Sequence, residues 1–190
     1  MHALNPWEFS ERWNEWHGEM LPHGWALRES HPTRWMRVHS LPGSKRYPGT
    51  AREYAIILAR DNSIVDAMIG RDECVLVGYE YGGAHQLASG HALRGWLPDA
   101  PPVMRLAAED DESEPTFLFA GRGAWYRGML DLPLRAVADD ELRFMILNWD
   151  TGAVFAPYDG GADVLWPSES ERNDACDKFR EWLSPHASGL

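Results

Sequence analysis

Apolar residues recur at Phe9, Trp13, Trp16 and Met20, the three- and four-residue spacing that lines up one face of an α-helix. Ahead of them stands Asn5-Pro6-Trp7-Glu8. It supplies a capping side chain, a proline at the first helical position and a carboxylate in the first turn, all of which favour a helix start. A second stripe, Tyr54, Ile57, Leu58, Val65 and Met68, follows Thr50-Ala51-Arg52-Glu53. Here the threonine and glutamate side chains can satisfy each other's backbone N–H groups, and Gly70 is placed to end the helix. The pattern also predicts a helix from Leu132 to Asp140 and a last one opening at Ser168-Glu169-Ser170-Glu171. That last helix is expected to bury Cys176, Phe179, Trp182 and Leu183 before Ser184-Pro185 stops it.

Between the helices lie short apolar runs that read as strands. Trp35 to His39, Cys74 to Tyr81, Val103 to Ala107 and Thr116 to Ala120 are four of them. Arg143 to Trp149, the turn Asp150-Thr151-Gly152 and Ala153 to Tyr158 form a hairpin, and Gly160-Gly161 leads into Ala162 to Trp166. These three consecutive strands are expected to pair antiparallel against the terminal helix, with Phe144, Ile146, Val154 and Val164 meeting Phe179 and Trp182. Short turns between sequential strands make the sheet largely antiparallel. The fold class is therefore α+β, a single domain over residues 1–190 with helices packed on the sheet.

Composition narrows this picture. A chain of 190 residues with 44% hydrophobic content has ample material for one large core. Its net charge of −11 argues against general nucleic-acid binding, which needs cations to neutralise phosphates. No stretch approaches a membrane span, and the start of the chain lacks a basic region followed by an apolar run, so a cytoplasmic location is expected. Cys74 and Cys176 form no C-x-x-C pair and no disulfide framework, and a single bridge between them stays open as an alternative. The basic residues are 16 Arg against two Lys, which suits a bacterial genome rich in G and C.

No nucleophile elbow, zinc-protease motif, phosphate loop or dinucleotide fingerprint occurs. The sequence therefore assigns no catalytic residue, metal or cofactor, and the eight histidines lack ligand spacing. One charge anomaly stands out. From His31 to Arg52 there are five Arg or Lys and no carboxylate. Within it Arg37, His39, Ser44, Lys45, Arg46 and Tyr47 are candidates for an anion site at the start of the helix that follows Thr50. Pairing of these cations with surrounding carboxylates is the alternative. Tyr158, Asp159 and Asp163 flank a glycine turn, which is either a turn alone or a place for a cation. The run Glu109, Asp110, Asp111, Glu112 and Glu114 is either a solvated loop tip or a face for a basic partner. The clustered tryptophans at the N-terminal end are read as core, with stacking on a ligand or partner as the alternative.

Three stretches carry a family resemblance: Arg34 to Tyr47, Val154 to Val164, and Trp182 to His186. Together they resemble the bacterial "domain of unknown function 3885" family, over most of the chain from about residue 30. The resemblance implies no reaction, so no catalytic role is carried over. It implies small, acidic, stand-alone cytosolic proteins of the kind found beside polymorphic toxins. Two functional expectations follow. One is an immunity-type binding protein whose acidic surface covers a basic toxin, with no nucleic acid or membrane as partner. The other is a small-molecule or phosphate-ligand enzyme or sensor, built on the basic 34–52 segment together with Tyr158, Asp159 and Asp163.

Overall fold

A computed structural model describes residues 1–70, 72–82, 91–97, 99–107 and 114–184. Three of the helix starts form as their sequences predict. The Asn5 side chain accepts from the Trp7 N–H at 2.8 Å and opens α1 (Pro6–His17). The Thr50 hydroxyl accepts from the Glu53 N–H at 3.2 Å and opens α3 (Ala51–Ile69), which ends at Gly70 with φ +63°. The Ser168 hydroxyl accepts from the Glu171 N–H at 3.2 Å and opens α5 (Glu169–Lys178). A short α2 (Ala26–Ser30) was not legible in the pattern, and α4 spans Asp131–Ala138.

Eight strands among the described residues make one sheet. They are β1 (His2–Ala3), β2 (Trp35–His39), β3 (Glu73–Tyr81), β4 (Met104–Leu106), β5 (Thr116–Ala124), β6 (Phe144–Asn148), β7 (Val154–Tyr158) and β8 (Gly161–Leu165). The order is β1-β5-β3-β6-β7-β8-β2, with β4 also on β5, and every pairing is antiparallel. The chain is thus an α+β domain, and β6-β7-β8 are the three consecutive antiparallel strands expected.

Both faces of this sheet are covered, because its central strands β3, β6 and β8 are buried along nearly their whole length. On one face Leu76, Phe119, Ile146, Phe155 and Val164 pack with α3, α4 and α5 through residues such as Ile64, Leu134 and Ala175, and with Phe179 just past α5. On the other, Val77, Leu118, Met145, Val154 and Leu165 pack with Phe9 and Trp13 of α1 and Leu27 of α2. This separation corrects one expectation. Val154 does not join Phe144, Ile146 and Val164 beneath the terminal helix. It stands opposite Leu147, while its neighbour Phe155 stands opposite Ile146. Successive side chains point to opposite faces, so the register sends Val154 to the α1 side. The terminal helix also ends earlier than expected. Trp182 lies in a following 3₁₀ turn, half-buried, with its ring stacked on Phe179 at 4.9 Å. Cys74 and Cys176 are both free thiols, and Cys176 is only half-buried.

Candidate functional site

The alternation of β2 decides which of its residues can take part in a site. Met36 and Val38 point into the core beneath the helices, which leaves Trp35, Arg37 and His39 half-buried on the opposite face. Arg37 stands directly across from Asp163 on β8, and Asp163 across from Ala156 on β7. Asp163 accepts three hydrogen bonds, from Trp35 Nε1 at 2.9 Å, Arg37 Nε at 3.0 Å and Arg37 Nη2 at 3.3 Å. The Arg37 guanidinium also lies 5.5 Å from the Trp35 ring and 5.4 Å from the Tyr158 ring. Burial works against its charge, yet the hydrogen bonds and charge of Asp163 outweigh this and hold its pKa above the usual value. Burial pushes the Tyr158 hydroxyl up to about 12, so it is a neutral donor at physiological pH.

The basic segment and the glycine turn, which the second functional expectation combined, lie side by side in the fold. Arg46 is ion-paired with Asp159, and Arg143 stands 3.9 Å from the same carboxylate. Burial tends to raise the Asp159 pKa, but hydrogen bonds from Arg46 and Tyr47 prevail and lower it. Lys45 is drawn away to Glu53, whose carboxylate also accepts from the Gly49 N–H at 2.7 Å. Those contacts, Lys45 first, bring Glu53 down to about 2. The start of α3 is therefore occupied by the chain's own carboxylate. Ser44 Oγ lies 3.3 Å from His39 Nε2, at the edge of the group. Arg37, Lys45 and Arg46 do not converge on one point; each meets a different carboxylate. Of the acidic run, Glu109, Asp110, Asp111 and Glu112 lie outside the described residues.

Next to the Arg37–Asp163 pair the same sheet face holds a cleft of about 290 Å³. Tyr79, Met145, Ala156, Asp163 and Arg37, from five different strands, form its floor. One wall is the segment His23-Gly24-Trp25. That segment is held down by Tyr79, whose hydroxyl donates to the Pro22 carbonyl at 2.9 Å and whose ring stacks on His23 at 5.1 Å. Trp25 continues the stack, 5.9 Å from His23. A β-carbon on Gly24 would come within 3.0 Å of the Ala156 methyl, so the wall sits this close to the floor because residue 24 has no side chain. At the mouth, Trp25 and Tyr81 are 53% and 54% exposed. Beyond them a second hollow of about 430 Å³ continues past Leu21, Leu106 and Glu114, sharing His23, Trp25 and Tyr81 with the first.

Of the residues singled out in the sequence, Arg37, Tyr158 and Asp163 line this cleft, and Glu114 lines the second hollow. Trp25 belongs to the tryptophan cluster read as core with ligand stacking as the alternative, and the structure leaves it half-exposed at the mouth rather than in the core. His23, Tyr79, Tyr81 and Arg143 carry no functional reading in the sequence. Tyr79 and Tyr81, two apart in a strand, carried a usable signal because they must share a face. For Arg143 there was none. The described residues contain no group of three side chains that could hold a metal ion, and no described helix is long and apolar enough to cross a membrane.

Comparison with known proteins places this geometry in a family. The model of the family described as Domain of unknown function (DUF3885) matches residues 23–187. That span includes every described residue that lines the first cleft and leaves α1 outside. No curated protein and no solved structure matches the chain.

Proposed function

We propose, from the premise that the chain belongs to the DUF3885 family, that it is a binding protein whose ligand is a small molecule held in the sheet-face cleft. The observation that carries this reading is a preformed concavity with aromatic walls beside a satisfied buried ion pair. Ligand sites commonly combine an apolar concave lining with a few fixed polar groups. Here the polar groups are fixed in advance, because Asp163 is buried and bonded on both oxygens. Trp25 and Tyr81 leave large apolar surface in water, and a ligand between them would remove it.

The reading drawn from the net charge of −11, a protein partner covering the acidic run, has less geometry behind it. Only Glu114 of that run is among the described residues, and it faces the second hollow.

A thermal-shift screen of a metabolite library, run on the wild type and on Trp25→Ala/Tyr81→Ala, tests the proposal. Both rings are half-exposed, so the double variant should fold with near-normal stability. Compounds that raise the melting temperature of the wild type should lose that effect in the variant, since only the folded cleft binds them. If every stabilising compound acts equally on both proteins, the cleft is not the ligand site.

A further inference from the structure

Among the described residues two guanidiniums line the cleft, and they differ in how firmly they are held. Arg37 is locked: it gives two hydrogen bonds to Asp163, a carboxylate whose side chain is 8% exposed, and stacks between two aromatic rings. Drawing it away would strand a buried charge. Arg143 is held loosely. Its ion pair is with Asp140, at side-chain exposures of 39% and 42%; the same nitrogen stands 3.9 Å from Asp159, and Nη1 donates to the neighbouring Leu142 carbonyl at 3.1 Å. Pairs this exposed contribute little net stability, so another anion can take the place of Asp140 at small cost.

The rest of the lining offers little to a cation. Among the described residues, Asp163 is the one carboxylate lining the first cleft, and it already accepts from Trp35 and Arg37. The wall opposite is a ladder of rings. His23 lies over Tyr79 with 26° between planes, and the half-exposed indole of Trp25 follows at 33°. Planar rings stack on such a wall in offset or tilted geometry. Tyr81 completes the mouth and is close enough for the charge of Arg143 to act on its hydroxyl.

We infer that the cleft takes a planar ring compound bearing a single carboxylate or phosphate, with the anion exchanging for Asp140 on Arg143 and the ring stacking along Trp25 and His23. This rests on the cleft being the ligand site. It goes further by naming the ligand's chemistry and the residue that selects it. A volume of about 290 Å³ suits one or two fused rings.

Isothermal titration of the full chain with indole-3-acetate and 1-naphthyl phosphate, each beside its neutral counterpart indole or 1-naphthol, tests this. The anionic member of at least one pair should bind roughly tenfold or more tightly than its neutral ring, as for a hydrogen bond to a charged group. The pair that shows the larger difference tells carboxylate from phosphate. Arg143→Gln should abolish the difference by weakening the anionic member of the pair. Asp140→Asn should tighten anion binding by about two- to fivefold, because it removes the competing carboxylate. Equal affinity for charged and neutral rings, a preference that survives Arg143→Gln, or weaker anion binding in Asp140→Asn would each overturn the inference. If no member of the panel binds while the metabolite screen yields other ligands dependent on Trp25 and Tyr81, the ligand class is wrong and the cleft reading stands. If that screen is empty as well, both fall.

Discussion

Asp61 is a carboxyl group in the wrong place for a charge, and replacing it with asparagine should change how stability depends on pH. It lies on α3 with 3% of its surface exposed, and its Oδ1 has no hydrogen-bond partner. Burial pushes its pKa from 3.8 up to about 8, against a smaller opposing influence from Arg60. Between pH 5 and pH 7 the folded protein therefore keeps this proton and the unfolded chain releases it. Unfolding then gives up a proton, so the contribution of Asp61 is complete below the unfolded pKa and is lost as pH rises toward the folded one. The slope is about 1.4 kcal/mol per pH unit, or about 2.7 kcal/mol across those two units. Asp61→Asn has nothing to ionise. Its stability relative to the wild type should rise by that amount from pH 5 to pH 7 and level off above pH 8. The difference is the quantity to measure, since every other titrating group cancels from it. Urea unfolding followed by tryptophan fluorescence, at pH 5, 6, 7 and 8.5, reads it directly. A difference that stays flat across this range would mean that Asp61 is ionised in the folded protein, and the reasoning from burial would fail.

Two further perturbations probe the framework of the site. Asp163→Ala should destabilise by about 2–4 kcal/mol in urea unfolding, below the loss for a fully buried pair because Arg37 is 21% exposed; a loss under about 1 kcal/mol would show that the pair holds nothing in place. Gly152→Ala should cost about 2–4 kcal/mol, because φ is +72° and the new methyl would lie 2.4 Å from the Trp16 ring; an unchanged melting temperature would mean that the Trp16 contact yields freely.

Much of the architecture is legible in the sequence because it is local. The side chains of Asn5, Thr50 and Ser168 cap helices by bonding to backbone two or three residues away. A stretch of four residues is enough to announce that. The runs Cys-Val-Leu-Val and Phe-Met-Ile-Leu announce buried strands in the same way, and the short turns after β6 and β7 dictate antiparallel pairing. Parity within a strand is local too, so Arg37 and His39 were bound to share a face. Which face that is depends on register with another strand. The side chains of Val154 and Phe155 are similarly apolar, and only the pairing of β7 with β6 sends them to opposite cores. The charges of the 34–52 segment could not be interpreted from composition, because the carboxylates that hold Arg37 and Arg46 are 126 and 113 positions away. The cleft depends on the same long-range placement. The sheet order sets Tyr79, Met145, Ala156, Asp163 and Arg37 side by side, and Gly24 lets the wall approach them. Helix and strand arise from contacts among near neighbours, and each segment carries its own instructions for them. A concave site exists only where distant segments meet, so tertiary packing alone decided which residues this protein can present to a ligand.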